Sequence, residues 1–419
     1  MTDAAISAAR QGTGLPAFAL FGATLAAAGL PIYIHAPKFY VDEYGVGLAA
    51  LGAVLFGLRL FDVVQDPVLG WLSERTRAAR GWAVAAALIV LAASMVGLFA
   101  ITPPVAPLLW FGITLTGLFS AFSFLSITFY AEGVEKASHL DGSHVRLAAW
   151  RETGALLGVS LAAMAPTALA AAAGRPFAAF ALAFAGLAFV AGFAMRREWG
   201  RSTRTEPGPS IRVILADRPA RRLLLLALVN ATPVAVSSTL FLFFVEYRLD
   251  APGWEGPLLL LFFLAAAASA PFWGMAAARF GIRPVLLLAM VVAIIAFTFA
   301  VFLGPGDTLA FALICLASGA ALGADMTLLP ALFSRRMERI APDAGQAFGL
   351  WNFVTKFTLA FAAVTLLPVL EAQGFRPGAD DLGAEALQTL SLLYAALPCG
   401  LKLIAVALLA TLNMEDADQ

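Results

Sequence analysis

Apolar residues in this chain come in long unbroken runs. Twelve stand out, at roughly 15–36, 46–72, 82–101, 107–131, 148–173, 177–195, 223–245, 257–278, 284–303, 308–333, 346–370 and 388–412. Each is about 20 residues or longer, which as a helix crosses a hydrocarbon core about 30 Å thick. No run alternates apolar with polar positions, and an open sheet in lipid would leave backbone groups unpaired. The pattern therefore predicts an all-α membrane protein of twelve transmembrane helices. The run from Leu15 has no small-residue cleavage site at a suitable distance, so it is expected to stay in the membrane as a first helix.

Composition agrees and narrows the function classes. The chain is 61% hydrophobic and 13% charged, with a mean hydropathy of +0.86. A soluble domain is about half apolar and a quarter charged, so soluble enzymes, secreted disulfide scaffolds and disordered tails are excluded. Lys+Arg and Asp+Glu are 27 each, and that balance gives no basic patch for nucleic acid. Cys315 and Cys399 lie in apolar runs, and His35, His139 and His144 are scattered. That is neither a disulfide framework nor a structural metal cluster. No G-x-x-x-x-G-K-[ST] loop is present to bind a nucleotide, and no nucleophile–base pair has a plausible third member. The reading is of a protein that is not an enzyme and has no cofactor beyond a coupling ion.

Cation placement sets the expected orientation. With the N-terminus in the cytoplasm, cytoplasmic segments hold twenty Lys and Arg and the outer segments four, the bias of the positive-inside rule. Both termini are then expected in the cytoplasm of a bacterial inner (plasma) membrane. The longest cytoplasmic connection, 196–222, carries eight arginines. It divides the chain into a six-helix bundle at 1–195, a central loop, and a second six-helix bundle at 223–419. Six plus six spans suggest two halves related by internal repetition.

Charges inside the membrane cost a few kcal/mol each and so point to function. Arg59, Asp62 and Asp66 share one face of the second span, at spacings of three and four. Two carboxylates one turn apart repel unless one binds a cation, holds a proton or pairs with Arg59. The first two are cation-coupling chemistry; the third is a brace. Pro67 follows and frees a backbone carbonyl in the preceding turn. In the second half, Asp325 and Lys356 lie at similar depths and are candidates for an ion pair, mobile or static. Lys402 has no evident partner. Arg151 and Glu152 open the fifth span; as sequence neighbours they face different directions, with Arg151 aimed at a cavity and Glu152 at the cytoplasmic surface. Gly154 with Gly158, and Gly319 with Gly323, form G-x-x-x-G pairs that let helices approach closely.

Two loops echo each other: Gly70-Trp-Leu-Ser-Glu74-Arg75-Thr-Arg77 and Gly274-Met-Ala-Ala-Ala278-Arg279-Phe-Gly281-Ile-Arg283. Both resemble the G-x-x-x-D-R-x-G-R-R loop of the major facilitator superfamily (MFS), at the same place in each half. The stretch Phe39-Tyr40-Val41-Asp42 followed by Arg59-x-x-Asp62-x-x-Gln65-Asp66-Pro67-x-x-Gly70-Trp71 resembles a branch of it, the glycoside–pentoside–hexuronide:cation symporters. Arg151 and Lys356 match as well. The resemblance implies a cation site at Asp62, Asp66, Gln65 and Ser123, for Na⁺ or H⁺. It also implies substrate or coupling roles for Arg59, Ser126, Arg151, Asp325, Asn352 and Lys356. Two carboxylates that hold sugar in the family's melibiose carrier align with Ala26 and Ser126. An amphipathic or carboxylated solute is therefore expected ahead of a neutral sugar.

The expected function is cation-coupled symport of a small solute by alternating access, by a monomer in the bilayer. The alternatives are an uncoupled or proton-driven exporter of an amphipathic solute, and a membrane scaffold that transports nothing.

Overall fold

The computed structural model describes residues 14–138, 144–170, 174–199, 211–340, 345–373, 375 and 383–411, less some side chains within helices, that of Arg59 among them. The polar N-terminal residues, His139, positions 200–210 of the arginine-rich loop, Arg376 and the last eight residues lie outside the described set.

Among the described residues every regular element is helical. The first half holds α1 (Leu15–Ala27), α2 (Leu30–Tyr44), α3 (Leu48–Arg75), α4 (Arg80–Phe99), α5 (Pro107–Ser138), α6 (His144–Ala170) and α7 (Pro176–Met195). A short α8 (Ile211–Ala216) leads into α9 (Arg218–Phe243), α10 (Glu255–Phe280), α11 (Ile282–Thr298), α12 (Thr308–Ile340), α13 (Gly345–Ala372), α14 (Ala384–Ser391) and α15 (Leu397–Ala410). Leaving out the short α8 and counting α1 with α2 and α14 with α15, the described helices make twelve rods, as the apolar runs predict. Eight described helices are apolar and long enough to cross a membrane on their own composition.

One expectation fails in detail. The run at 15–36 is two helices, broken at Ala28 and Gly29. Gly29 leaves helical geometry, at φ −90° and ψ −110°. Pro31 stands in the first turn of α2, where its missing N–H removes a bond back across the break. The second piece then runs beyond the apolar stretch and ends on Gly45, whose φ of 63° is left-handed. In the second half α9 ends in a π-turn, Phe244–Arg248, and a second π-turn, Leu392–Ala396, joins α14 to α15.

The helices form two compact units. The first takes in the described residues up to Leu215 together with Ser334–Phe353; the second takes in Ala216–Phe333 and those from Val354 onward. The C-terminal end of α12 and the N-terminal end of α13 thus belong with the first unit. Its core is aromatic: Phe129 stacks on Phe18 at 5.3 Å and leans on Phe21 at 4.9 Å. Helices α1 and α6 touch backbone to backbone. A Cβ on Gly154 or Gly158 would overlap the carbonyls of Ala19 and Ala23, so this G-x-x-x-G pair is a helix seam. The same device recurs in the second unit, where Gly319 and Gly323 on α12 meet the Phe262 and Ala266 carbonyls of α10. There the core closes on Phe244 and Tyr394, rings stacked at 4.1 Å, one from each π-turn.

Candidate functional site

In the first unit, α3 and α5 bring together a group of side-chain oxygens. Asp62 is 3% exposed and Asp66 fully buried. Gln65, one turn along, donates from Nε2 to Asp62 Oδ1 at 2.7 Å. From α5, Ser123 Oγ reaches the same oxygen at 3.5 Å, and Ser120 Oγ donates to Gln65 Oε1 at 2.9 Å. Asp62, Gln65 and Ser123, expected from sequence to share a site, are thus in contact, with Asp66 one helical turn along. Ser120 was not anticipated; its place one turn before Ser123 on α5 was the available signal. Ser126 is buried one turn further along. Arg59 occupies the expected helix position, and its side chain is outside the described set.

Such a group can hold a small cation. Carboxylate, amide and hydroxyl oxygens are hard ligands. With the Asp62 and Asp66 carboxylates a turn apart, an added positive charge relieves their repulsion.

Arg151, 3% exposed, forms a second feature of the first unit. Its Nε donates to Glu152 Oε1 at 2.8 Å, and Tyr130 Oη donates to the same oxygen at 2.9 Å. The guanidinium carbon lies 3.7 Å from the Tyr130 ring centroid, a cation–π contact. Nη2 of Arg151 is buried with no hydrogen-bond partner among the described residues. This corrects the reading of Glu152 as a surface brace: it is 2% exposed and partners its own neighbour. The long arginine stem bends back far enough to overcome the angular offset of adjacent helical positions.

The C-terminal end of α3 and the N-terminal end of α13 form a clasp within the first unit. Glu74 accepts from the Gln346 backbone N–H at 2.7 Å and from its side-chain amide at 2.6 Å. Gln346 Oε1 in turn accepts from the Ile211 N–H at 3.1 Å. Gly70 packs on the Gly345 carbonyl and Gly349 on that of Asp66, so closely that a Cβ at either would sit 2.8 Å from the oxygen. His144 meets Glu338 at 2.6 Å. Beneath, Arg80 is paired with Glu132 at 2.6 Å, both almost fully buried.

In the second unit the expected pairing of Asp325 with Lys356 is replaced by another. Asp325 on α12 pairs with Lys402 on α15, which also donates to Asn230 Oδ1 on α9 at 2.6 Å. Sequence depth alone made Lys356 a candidate; the helix faces bring Lys402 instead. Asn352 and Lys356 are half-buried on α13.

Among the described residues, twelve helical rods carrying buried carboxylates and a glycine-rich clasp narrow the families this chain can join. Residues 14–416 match the family described as MFS/sugar transport protein. The chain belongs to that family. It is an integral membrane transporter of the major facilitator fold. No curated protein matches it. Among solved structures, the transporter resembles a bacterial homologue of the iron transporter ferroportin in its outward-facing state. The TM-score is 0.68 at 14% identity, over 97% of this chain and 100% of that one. It also resembles the human organic anion transporter MFSD10 (TETRAN), at a TM-score of 0.67 and 18% identity, over 96% and 99%. At these identities the likeness concerns the fold.

Proposed function

We propose that this transporter is a cation-coupled symporter of the glycoside–pentoside–hexuronide type, resident in a bacterial inner membrane with both termini cytoplasmic. The observation that carries this reading is the buried oxygen group of Asp62, Asp66, Gln65, Ser120 and Ser123. Na⁺ or H⁺ binds there, and its charge changes the balance between inward- and outward-opening states. A ligand shifts such a balance only through unequal affinity for the two states, so ion and solute each favour one of them. The Glu74–Gln346 clasp is the cytoplasmic contact that must open for release.

The solute carries an anionic group on an apolar body. Arg151 supports this, with a buried Nη2 that has no hydrogen-bond partner among the described residues, as does the absence of carboxylates at Ala26 and Ser126. One structural relative is an organic anion transporter, which is consistent with this class of solute. The test is accumulation in membrane vesicles of lysolipids, small organic acids and neutral disaccharides under an imposed Na⁺ or H⁺ gradient. Gradient-driven uptake of an anionic solute, lost in Asp62→Asn, is the expected result. Uptake indifferent to both gradients favours an uncoupled carrier, and saturable Na⁺-driven uptake of a neutral disaccharide overturns the substrate class.

A further inference from the structure

The second unit buries charges that the proposed coupling site does not use. Lys402, Asp325 and Asn230 are 5%, 8% and 5% exposed, and they come from three helices, α15, α12 and α9. The ammonium bonds one oxygen of Asp325 and the amide oxygen of Asn230. The other carboxylate oxygen, Asp325 Oδ1, is buried without a hydrogen-bond partner among the described residues. A brace between helices has no use for such an arrangement. Apolar residues of the same volume generally hold helices as well as a buried ion pair, and an acceptor left unsatisfied away from water is costly. An oxygen held ready to accept is what a proton needs.

We propose that Asp325, Lys402 and Asn230 form a proton-binding site in the second unit, distinct from the Asp62–Asp66 group. The proton comes from water and binds Asp325 Oδ1. The carboxyl becomes neutral and its bond to Lys402 loses its ionic character. Lys402 keeps its charge and the Asn230 oxygen. The triad therefore passes from net neutral to net positive, and a buried positive charge is stable only where water reaches it. Protonation thus favours an arrangement of α9, α12 and α15 that hydrates Lys402, and deprotonation favours the closed one.

Surrounding groups leave this exchange to the triad. Ser269 and Trp273 of α10 both donate to the Ala320 carbonyl, just over one turn before Asp325 on α12. Helix α11, packed on α15, brings Thr298 to Cys399 and the Arg283 guanidinium to the Ala410 carbonyl. Lys356 of α13, a further cation of the second unit, is half-buried.

The test is infrared difference spectroscopy of the purified full-length protein between alkaline and acid pH, over the range in which it stays folded. It reads the C=O stretch of a protonated carboxylic acid. Wild type should gain such a band on acidification. Asp62→Asn should keep the Asp325 contribution, whereas Asp325→Asn should lose it. Because Asp325→Asn leaves Lys402 without its counter-charge and is at risk of misfolding, Asp325→Asn/Lys402→Gln, which removes both charges, should show the same loss. Identical carboxylic acid bands in wild type and in either Asp325 variant would overturn the proposal, since a permanently ionised brace takes up no proton.

Discussion

Two buried clusters of this transporter, around Asp62 in the first unit and Asp325 in the second, hold their carboxylates in different ways. In the first unit the described bonds to Asp62 come from an amide and a hydroxyl, Gln65 at 2.7 Å and Ser123 at 3.5 Å. In the second, a carboxylate and an amide close on an ammonium carried by the chain itself, Lys402. Oxygens on short side chains can rearrange around an ion of the right size. A tethered ammonium brings its own positive charge, so the second cluster exchanges a proton more readily than a metal ion. The first unit also holds the Glu74–Gln346 clasp, and Gly349 of α13 packs on the backbone of Asp66 itself. The Asp62–Asp66 group and the clasp residue Glu74 therefore share helix α3, and under the proposed function an ion bound at the first would have a short mechanical path to the second.

The largest effect that would sharpen this contrast lies in the second unit. Lys402→Met alone or Asp325→Leu alone should destabilise the protein by about 3–5 kcal/mol, because each strands a buried charge. The double variant should recover most of the loss, read as thermal unfolding in detergent. Single variants as stable as wild type would mean that the triad is already hydrated, and the difference between the two clusters would vanish.

Next in size is the helix seam of the first unit. Gly154→Val should cost about 1–3 kcal/mol or more, because a side chain there meets the Ala19 carbonyl across α1 and overpacking forces the backbones apart. Gly81→Val, at a position with open space around its Cβ, is the control that should change little. Equal stability of the two variants would show that α1 and α6 do not touch as described.

A smaller effect is expected at the clasp. Glu74→Ala removes the acceptor of two Gln346 donors, and bonds to a charged group contribute roughly 1.5–3 kcal/mol each. Much of that is regained from water at a helix end. The readout is thiol labelling of a cysteine placed at Ala347, fully buried beside Gln346, which should rise in Glu74→Ala. Unchanged labelling would separate the clasp from gating.

The smallest effect on energy, and the plainest on topology, concerns the central loop. A cysteine at Ser202 should react with an impermeant thiol reagent only after cells are opened. Reaction in intact cells would invert the proposed orientation of both halves.

Much of this architecture was legible in the sequence because lipid imposes a simple rule: a run of about 20 apolar residues becomes a helix. The break at Gly29 escaped because glycine and proline within an apolar run do not lower its hydropathy enough to divide it. Asp62, Gln65 and Asp66 were legible because they share one helix and their spacing places them. Ser120 was not, since it joins the site only through Gln65. The Lys402–Asp325–Asn230 triad was hidden for a stronger reason. Its members are 77 and 172 residues apart along the chain, and only the packing of three helices brings them together. Arg151 with Glu152 was misread because helix geometry describes Cβ directions, and a long side chain is not bound by them.

The central claim is that Asp62 and Asp66 hold the coupling ion. It is tested most directly by ion binding to purified wild type, Asp62→Asn and Asp66→Asn. Two readouts are needed: Na⁺ protection against thermal unfolding at fixed pH, and carboxyl protonation by infrared spectroscopy at fixed Na⁺. At 100 times its dissociation constant, a bound ion stabilises by about 2.7 kcal/mol. The account predicts that wild type shows at least one of these responses and that each variant, while still folded, loses it. Equal ion responses in all three proteins would contradict the account and leave the two carboxylates as structural groups.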